Sequence, residues 1–183
     1  MQSLKRYAKY KCFCCCWIQQ NADQRLLTKK VNNDSDIGDL LKIVYLSNYN
    51  VSNAQIIIPA TELSQHISTA GLEASGTSNM KFVLNGSLII GTMDGANVEI
   101  AEEVGPENMF VFGALVDEID GLRNNMRSTE PSQYFPPELN EVFATIDSGA
   151  FGARDELVDL TYTIRNRNDF YLLGADFKSY LEQ

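Results

Sequence analysis

Short apolar runs alternate with amphipathic stretches along most of this chain. Residues 41–46 form a nearly continuous, β-branched apolar run, which is typical of a strand buried on both faces of a sheet. Residues 87–90 and 109–112 form two more such runs, each followed by a glycine, and residues 96–103 between them have helical spacing. This strand–helix–strand order predicts an α/β fold built on a parallel sheet.

Helical signals surround these strands. Ser52 predicts the start of a helix that continues to Ile58, because its hydroxyl can accept from the free N–H groups of the first turn, and Pro59 then ends the helix. Beyond Gly121 the strand signals stop. Segments with helical spacing follow near residues 137–146, 155–165 and 176–183. The sequence therefore predicts a helical C-terminal segment that packs on another surface.

The first thirty residues differ in composition from the rest of the chain. They carry seven basic residues against one acidic residue, a net charge of +6, whereas residues 31–183 carry eight against 23, a net charge of −15. All four cysteines and the single tryptophan also lie among them. We therefore divide the chain into a basic leader (1–30), a partial α/β domain (31–120) and a helical C-terminal segment (121–183).

The cysteines of the leader cluster at positions 12, 14, 15 and 16. A zinc site needs a second cysteine pair or a histidine pair further along, and the only histidine is His66, so no metal site is expected. Palmitoylation beside the basic residues and a plastid transit peptide are alternatives, although a transit peptide would contain more serine. The favoured interpretation is a leader unrelated to the domain behind it.

The overall composition excludes several classes of protein. The chain has 183 residues, of which 44% are apolar and 21% charged, as in an ordinary globular domain. Its net charge of −9 argues against a surface that follows nucleic-acid phosphates. No apolar run reaches the roughly 18 residues of a membrane span, and the first residues lack the basic, apolar and small-residue pattern expected of a signal peptide. We expect a cytoplasmic protein, with the plastid as the alternative, and neither nucleic acid nor membrane as a partner.

A run of small residues precedes Lys81. Residues 71–78 read G-x-x-x-x-G-T-S, which differs from a phosphate-binding P-loop because Thr77 replaces its lysine, and no G-x-G-x-x-G is present for a dinucleotide. What remains is a glycine-rich turn whose N–H groups, at a helix start near Gly76, Thr77 and Ser78, can hold one phosphate.

Lys81 follows Thr77 by four residues, which is one helical turn or roughly 6 Å along the axis. This spacing suits a small phosphorylated aldehyde whose carbonyl condenses with the amine, and desolvation between Met80 and Phe82 would favour the free amine. The alternative is a surface lysine on a helix that follows a flexible loop.

A longer stretch around Lys81 resembles a known family. The run G-L-E-A-S-G-T-S-N-M-K-F at residues 71–82, with L-N-G at 84–86 and G-T-M-D-G-A-N-V-E-I at 91–100, is similar to the signature region of the α-1,4-glucan (glycogen or starch) phosphorylases. The resemblance extends from about residue 31 to residues 171–180. It implies a partial Rossmann-like sheet, corresponding to the C-terminal domain of the two-domain glycosyltransferase fold called GT-B.

The resemblance implies a cofactor and an activity. In that family the lysine of the S-N-M-K motif holds pyridoxal 5′-phosphate as a Schiff base, so Lys81 is the implied cofactor anchor and catalytic position. The cofactor phosphate exchanges a proton with inorganic phosphate, which cleaves the glucan at its non-reducing end and releases glucose 1-phosphate with the anomer retained. The implied partners are an α-1,4-glucan and inorganic phosphate, and full-length relatives are expected to form homodimers.

The resemblance also implies roles for further residues. Thr77 and Ser78 would donate backbone N–H groups to the cofactor phosphate, with Gly76 and Tyr49 beside it. Glu73, Ser75 and Gly76 would bind the 3- and 4-hydroxyls of glucose, since a carboxylate and backbone donors suit sugar hydroxyls.

A few positions near this motif are less informative or depart from part of the family. Asn50 stands where the animal enzymes carry arginine, and both Asn50 and Ser78 fit the plant type. Asn79 and Asp94 are interpreted first as turn and helix-cap residues, and His66 as structural.

Family members are several times longer, and this chain resembles only the later part of their second half. We therefore expect a fragment, and two functions follow from that. One is a glucan phosphorylase that is inactive without the remaining parts, and the other is a non-catalytic remnant that binds the cofactor or a full-length partner. The strands predicted to be buried on both faces would lose sheet neighbours that the family supplies from the missing segment. We therefore also expect an open sheet edge, exposed apolar positions and a tendency to self-associate.

Overall fold

The structure, a computed structural model, describes residues 13–15, 28–44, 46, 48–151, 154–166 and 169–183. Contacts divide the chain into two compact units. The first unit comprises Met1–Ile18, Tyr49–Asn124 and Tyr171–Gln183, and the second comprises Gln19–Asn48 and Asn125–Phe170. The predicted domain boundaries at residues 30 and 120 remain predictions, and most of the leader lies outside the described residues.

The first unit is built on a four-stranded parallel sheet with the order β1-β2-β3-β4. Its strands are β1 (Phe13–Cys15), β2 (Leu63–His66), β3 (Leu88–Thr92) and β4 (Phe110–Phe112). The strands predicted at residues 87–90 and 109–112 are thereby confirmed as β3 and β4. All pairings are parallel, which confirms the α/β class with a partial Rossmann-like sheet.

Eight α-helices have defined bounds within the described ranges. They are α1 (Val51–Ile57), α2 (Ser78–Leu84), α3 (Asn97–Val104), α4 (Ile119–Ser128), α5 (Pro131–Tyr134), α6 (Pro137–Asp147), α7 (Arg154–Asn166) and α8 (Leu173–Leu181). The predicted helices at residues 96–103, 137–146, 155–165 and 176–183 are confirmed to within three residues at every end. No helix among the described residues is long and apolar enough to cross a bilayer.

One face of the sheet packs on α2 and α3. Phe82 is fully buried and Ile89 is 2% exposed, and both belong to one cluster with Ile58, Ile100 and Met109. Burying side chains of this size contributes about 1.5–3 kcal/mol each. This cluster therefore fixes α2, and with it the loop that leads into α2, against the sheet.

The carboxyl end of the sheet is covered by α8. The rings of Phe112 and Tyr180 meet edge to face with centroids 5.0 Å apart, and the Gln65 amide donates to the Tyr180 hydroxyl at 2.9 Å. The amino ends of β3 and β4 are more open, since Leu88 is 49% exposed and Phe110 is 36% exposed. The expected exposed apolar positions are thus present.

The second unit contains the helix pair α6 and α7. The Phe143 ring packs edge to face on Phe135, and the Arg165 guanidinium lies 5.2 Å from its centroid. Arg165 forms an ion pair with Asp147, whose other carboxylate oxygen accepts from the Thr161 hydroxyl at 2.7 Å. These contacts join the end of α6 to α7.

The strand predicted at residues 41–46 is wrong. Residues 41–44 and 46 are not in a strand, and the Asn32 side chain pairs with both backbone groups of Ile43 at 2.7 and 2.8 Å. Leu41 is 50% exposed and Val44 is 61% exposed. An apolar run becomes a buried strand only where a sheet takes up its backbone groups, and here a side-chain amide takes them instead.

The predicted cap of α1 is also wrong by two residues. Asn50 is the N-cap, and its side chain accepts from the Asn53 N–H at 3.1 Å, whereas Ser52 lies inside the helix. Asparagine is among the best N-cap residues because its amide oxygen reaches the free donors of the first turn. The position at which the sequence departs from the animal-type pattern therefore has a structural role.

His66 packs as a structural residue at the end of β2. Its Nε2 lies 2.8 Å from the Ser64 hydroxyl, and its ring is 6.1 Å from the Phe82 ring. Burial lowers the pKa of His66 to about 4, because desolvation disfavours the charged imidazole. This environment holds the ring neutral at physiological pH.

A pH-dependent loss of stability follows from this pKa. The unfolded histidine binds a proton near pH 6.5 and the folded one only near pH 4, so the unfolded state gains protons first as the pH falls between these values. Above about pH 6.5 the imidazole is neutral in both states, so His66 adds no pH dependence to the stability there. Below it we expect the wild type to lose roughly 1–2 kcal/mol relative to His66→Gln, a figure reduced because the side chain is only partly buried.

Urea unfolding of both proteins between neutral pH and about pH 4 measures this difference. His66 is the only histidine, so the His66→Gln variant removes the only imidazole that titrates in this range. A difference between the two stabilities that does not change with pH would contradict the assignment.

Candidate functional site

The glycine-rich run leads directly into α2, as the sequence predicted. Thr77 is the N-cap of the helix and makes no side-chain cap hydrogen bond. The Met80 N–H donates to Asn79 Oδ1 at 2.9 Å, whereas the Thr77 side chain leaves the earlier N–H groups without a cap. Free N–H groups at a helix start are the arrangement that binds anions. Lys81 lies one turn further along the same helix.

The predicted desolvation of Lys81 between two apolar neighbours is wrong. Phe82 is fully buried, but Met80 is 38% exposed and Lys81 itself is exposed. Successive residues of an α-helix point about 100° apart, so the two neighbours of Lys81 cannot enclose it from both sides. In the described chain the amine is accessible to solvent and to small molecules.

Backbone and side-chain bonds within the loop organise Glu73, Ser75 and Gly76. The Gly76 N–H donates to Glu73 Oε1 at 3.1 Å, and the Ser75 hydroxyl donates to the Gly76 carbonyl at 3.0 Å. Glu73 and Ser75 are exposed. One carboxylate oxygen of Glu73 is thus held by the loop, and the side chain remains open to a ligand.

Asp94 binds the backbone of this loop through its carboxylate. Its carboxylate accepts from the Gly71 N–H at 2.9 Å and from the Glu73 N–H at 3.0 Å, and the residue is 5% exposed. A buried carboxylate that accepts two backbone N–H groups forms strong, charge-assisted hydrogen bonds. Asp94 lies in a turn, as predicted, but it binds another loop and does not cap a helix.

Two buried asparagines join α2 to the start of α3. Asn79 donates to the Asn97 side-chain oxygen at 2.9 Å, and Asn97 donates to the Thr92 carbonyl at 3.0 Å. Thr77, and not Asn79, is the N-cap of α2, but Asn79 Oδ1 accepts from the first-turn Met80 N–H at 2.9 Å, so Asn79 acts at the helix start from inside the first turn. The bonds couple the helix that carries Lys81 to the carboxyl end of β3.

The turn between Asp94 and Asn97 also contacts the loop backbone. The Ala96 N–H donates to the Ser75 carbonyl at 2.6 Å. A Cβ added at Gly95 would lie 2.5 Å from the same carbonyl oxygen, closer than real Cβ atoms approach. The loop therefore rests directly on Gly95.

The structure brings most of the predicted site residues together on one loop and one helix. Six of them lie within residues 73–81 of this loop–helix segment, namely Glu73, Ser75, Gly76, Thr77, Ser78 and Lys81. Tyr49 lies on a separate segment before α1, where it is 48% exposed. Sequence reasoning missed the role of the turn at residues 94–97, although the small residues Gly95 and Ala96 within its motif are a sign of close backbone approach.

This loop–helix segment offers three kinds of chemistry. The helix start presents N–H donors, the exposed Lys81 presents a primary amine, and the Glu73 carboxylate presents acceptors for hydroxyl groups. A cavity of about 220 Å³ in the second unit, lined by residues such as Arg127, Tyr134 and Arg165, contains none of the predicted site residues.

Comparison with known proteins matches this segment to a family. The family model described as carbohydrate phosphorylase matches residues 25–183. The chain is 54% identical over 157 residues to the α-glucan phosphorylase H isozyme of Triticum aestivum, covering 83% of this chain and 18% of that protein. It is 54% identical over 153 residues to the glycogen phosphorylase of Saccharomyces cerevisiae, covering 82% and 17%.

A plastid relative is equally similar. The α-1,4 glucan phosphorylase L isozyme of Vicia faba, named as chloroplastic or amyloplastic, is 54% identical over 157 residues, covering 83% of this chain and 15% of that protein. The chain thus spans about a sixth of the length of these relatives.

Proposed function

Because this chain belongs to the carbohydrate phosphorylase family, we propose that it carries the cofactor- and glucose-binding segment of an α-1,4-glucan phosphorylase. The reaction is phosphorolysis at the non-reducing ends of glycogen or starch, with inorganic phosphate as co-substrate and glucose 1-phosphate as product. The observation that carries the proposal is the start of α2, where the N-cap residue Thr77 makes no side-chain cap hydrogen bond and lies one turn before the exposed Lys81.

The residues present fit pyridoxal 5′-phosphate. Thr77 and Ser78 provide N–H donors at a helix start, which suits a phosphate, and Gly76 before them adds no side chain. Lys81 provides an exposed amine roughly 6 Å further along the axis, which suits the aldehyde of the same molecule. Tyr49 is proposed to lie beside the phosphate. When bound, the cofactor supplies a phosphate group that exchanges a proton with inorganic phosphate.

The glucose is proposed to bind to the loop before α2. Glu73 is oriented by the Gly76 N–H, and its second carboxylate oxygen can accept from a sugar hydroxyl. Ser75 and the Gly76 backbone provide further polar groups. Asp94 holds this loop by accepting from Gly71 and Glu73, so we assign it a positioning role. Discrimination between sugars then rests on pairing each hydroxyl with a fixed polar group.

A second candidate is a non-catalytic remnant that binds the cofactor or a full-length partner. The exposure of Glu73, Ser75, Thr77 and Lys81 favours it, because phosphorolysis without hydrolysis requires a site closed to water. The two candidates share the cofactor lysine and differ in turnover. A cytoplasmic location is proposed for either, with the plastid as the alternative suggested by the Vicia faba relative, and a homodimer for the complete enzyme.

A chimera tests the proposal. Residues 31–183 of this chain replace the segment that they match in the yeast glycogen phosphorylase. We expect the chimera to release glucose 1-phosphate from glycogen, and Lys81→Arg in the chimera to lower the rate by about 10²-fold or more. Arginine retains the charge, but its guanidinium remains protonated and does not condense with an aldehyde.

The matched control for this experiment is Lys178→Arg. Lys178 is also an exposed helical lysine, in the last turn of α8. Its substitution is expected to leave the rate unchanged. A folded chimera that retains full activity with Lys81→Arg would contradict the assignment of Lys81.

A further inference from the structure

We propose that β1, the strand supplied by the leader, shields the edge of β2, and that without it β2 pairs with β2 of a second copy of this chain. This inference concerns the sheet edge and is independent of the proposed function.

The pairing of β1 with β2 is the first observation. Phe13, Cys14 and Cys15 pair in parallel register with Leu63, Ser64 and Gln65. The family match begins at residue 25, so this edge strand comes from outside the matched region. The open edge that the sequence predicted beside the sheet is therefore covered at β2, by a segment that the sequence analysis treated as unrelated to the domain.

Apart from its length of only four residues, the β2 edge carries none of the usual protection of its own. Sheet edges avoid pairing with other chains through lysine or other charges, proline, bulges or very short strands. Residues 63–66 read L-S-Q-H and contain no proline, lysine, arginine or carboxylate. His66 is neutral at physiological pH, because burial lowers its pKa to about 4. Among the described residues, β1 is the element that pairs with this edge.

At the opposite edge of the sheet, α8 binds the backbone that follows β4. Directly after β4, the Gly113 N–H donates to the Ser179 hydroxyl at 3.0 Å and the Ala114 N–H donates to Asp176 Oδ1 at 2.9 Å. Side chains of α8 thus take up backbone donors where the strand ends. The two edges differ, and β2 is the edge whose protection depends on the leader.

A second copy is the occupant that fits an unshielded β2. Two identical strands related by a twofold axis pair antiparallel, and twofold dimers are the commonest assemblies. In a pair centred between Ser64 and Gln65, Glu62 of one copy faces Ile67 of the other, so the flanking carboxylates do not oppose each other. No like-charge contact then opposes the pairing.

Proline substitutions in β1 test the proposal in the full chain. Alternate residues of a parallel edge strand donate to its neighbour, so either residue 14 or residue 15 is a donor to β2. Cys14→Pro and Cys15→Pro are therefore made as two separate variants, one of which removes that donor. Cys14→Ser and Cys15→Ser are the matched controls, with reductant present throughout. Sedimentation at several concentrations is expected to show at least a twofold rise in mass for one proline variant or both. Equal masses for all four variants would overturn the proposal.

A peptide distinguishes edge pairing from simple unfolding. A synthetic peptide with the sequence of residues 10–18 is expected to restore the mass of the serine controls, because it can occupy the β2 edge in trans, whereas a scrambled peptide is not. A mass that remains high with the peptide would overturn the proposal, since association would then come from unfolding. In the wild type, β2 amides that exchange with solvent as fast as a free edge would also overturn it.

Discussion

Gly95→Ala is expected to destabilise the chain by at least about 3 kcal/mol. Gly95 has a φ of +53°, a conformation that L-residues with a Cβ adopt only with strain. The added Cβ would also lie 2.5 Å from the Ser75 carbonyl oxygen and 2.8 Å from its carbonyl carbon. Both contacts are with backbone, so no rotamer change relieves them. The loop that contains Glu73 and Ser75 must move away from the turn at residues 94–97.

Gly86→Ala is the matched control for this substitution. Gly86 has a φ of +83° and no heavy atom within 4 Å of the added Cβ, so it measures the conformational cost alone, about 1–2 kcal/mol. Urea unfolding of the two variants and the wild type separates the steric term from the backbone term. Equal losses of stability in the two variants would show that the loop does not rest on Gly95.

The second large effect concerns turnover. Purified alone, this chain is expected to release no measurable glucose 1-phosphate from glycogen or starch with inorganic phosphate present. Removing one preorganised donor from a transition state typically costs about 10²–10³ in rate. Here Lys81, Thr77 and Glu73 are exposed to solvent, and the chain spans only 15–18% of the length of its relatives.

The full-length yeast relative provides the positive control in the same assay, at equal molar concentration and with added pyridoxal phosphate. The expected rates differ by several powers of ten. A rate from this chain close to that of the relative, in a preparation free of host phosphorylase, would show that the exposed site is sufficient for phosphorolysis.

The sequence correctly predicted the strands and helices whose formation depends on residues close together in the chain. The β-branched runs that end at Gly91 and Gly113 correctly indicated β3 and β4, and helical spacing correctly indicated α3, α6 and α7. The start of α2 was also correct, because a glycine-rich turn before an apolar helical stretch is a local signal. Most of the candidate site lies on that one continuous segment, so it could be found from the sequence.

Errors arose where distant residues decide the outcome. Residues 41–46 have the composition of a strand, but Asn32 takes up the backbone of Ile43 in place of a neighbouring strand. The contact of Asp94 with Gly71 and Glu73 spans more than twenty residues, so no local pattern predicts it. The pairing of β1 with β2 joins residues about fifty positions apart and could not be anticipated from the composition of the leader.

We propose Lys81 as the cofactor lysine of a phosphorylase segment, and chemical trapping tests this assignment most directly. The wild-type chain is mixed with limiting pyridoxal 5′-phosphate, reduced with borohydride and mapped by peptide analysis. We expect label at Lys81 well above that at Lys178, which is also exposed but lies in the last turn of its helix. Pyridoxal without phosphate should lose this preference, because the α2 start then has no anion to bind. Label spread evenly over the lysines, or the same pattern with and without the phosphate, would contradict the account.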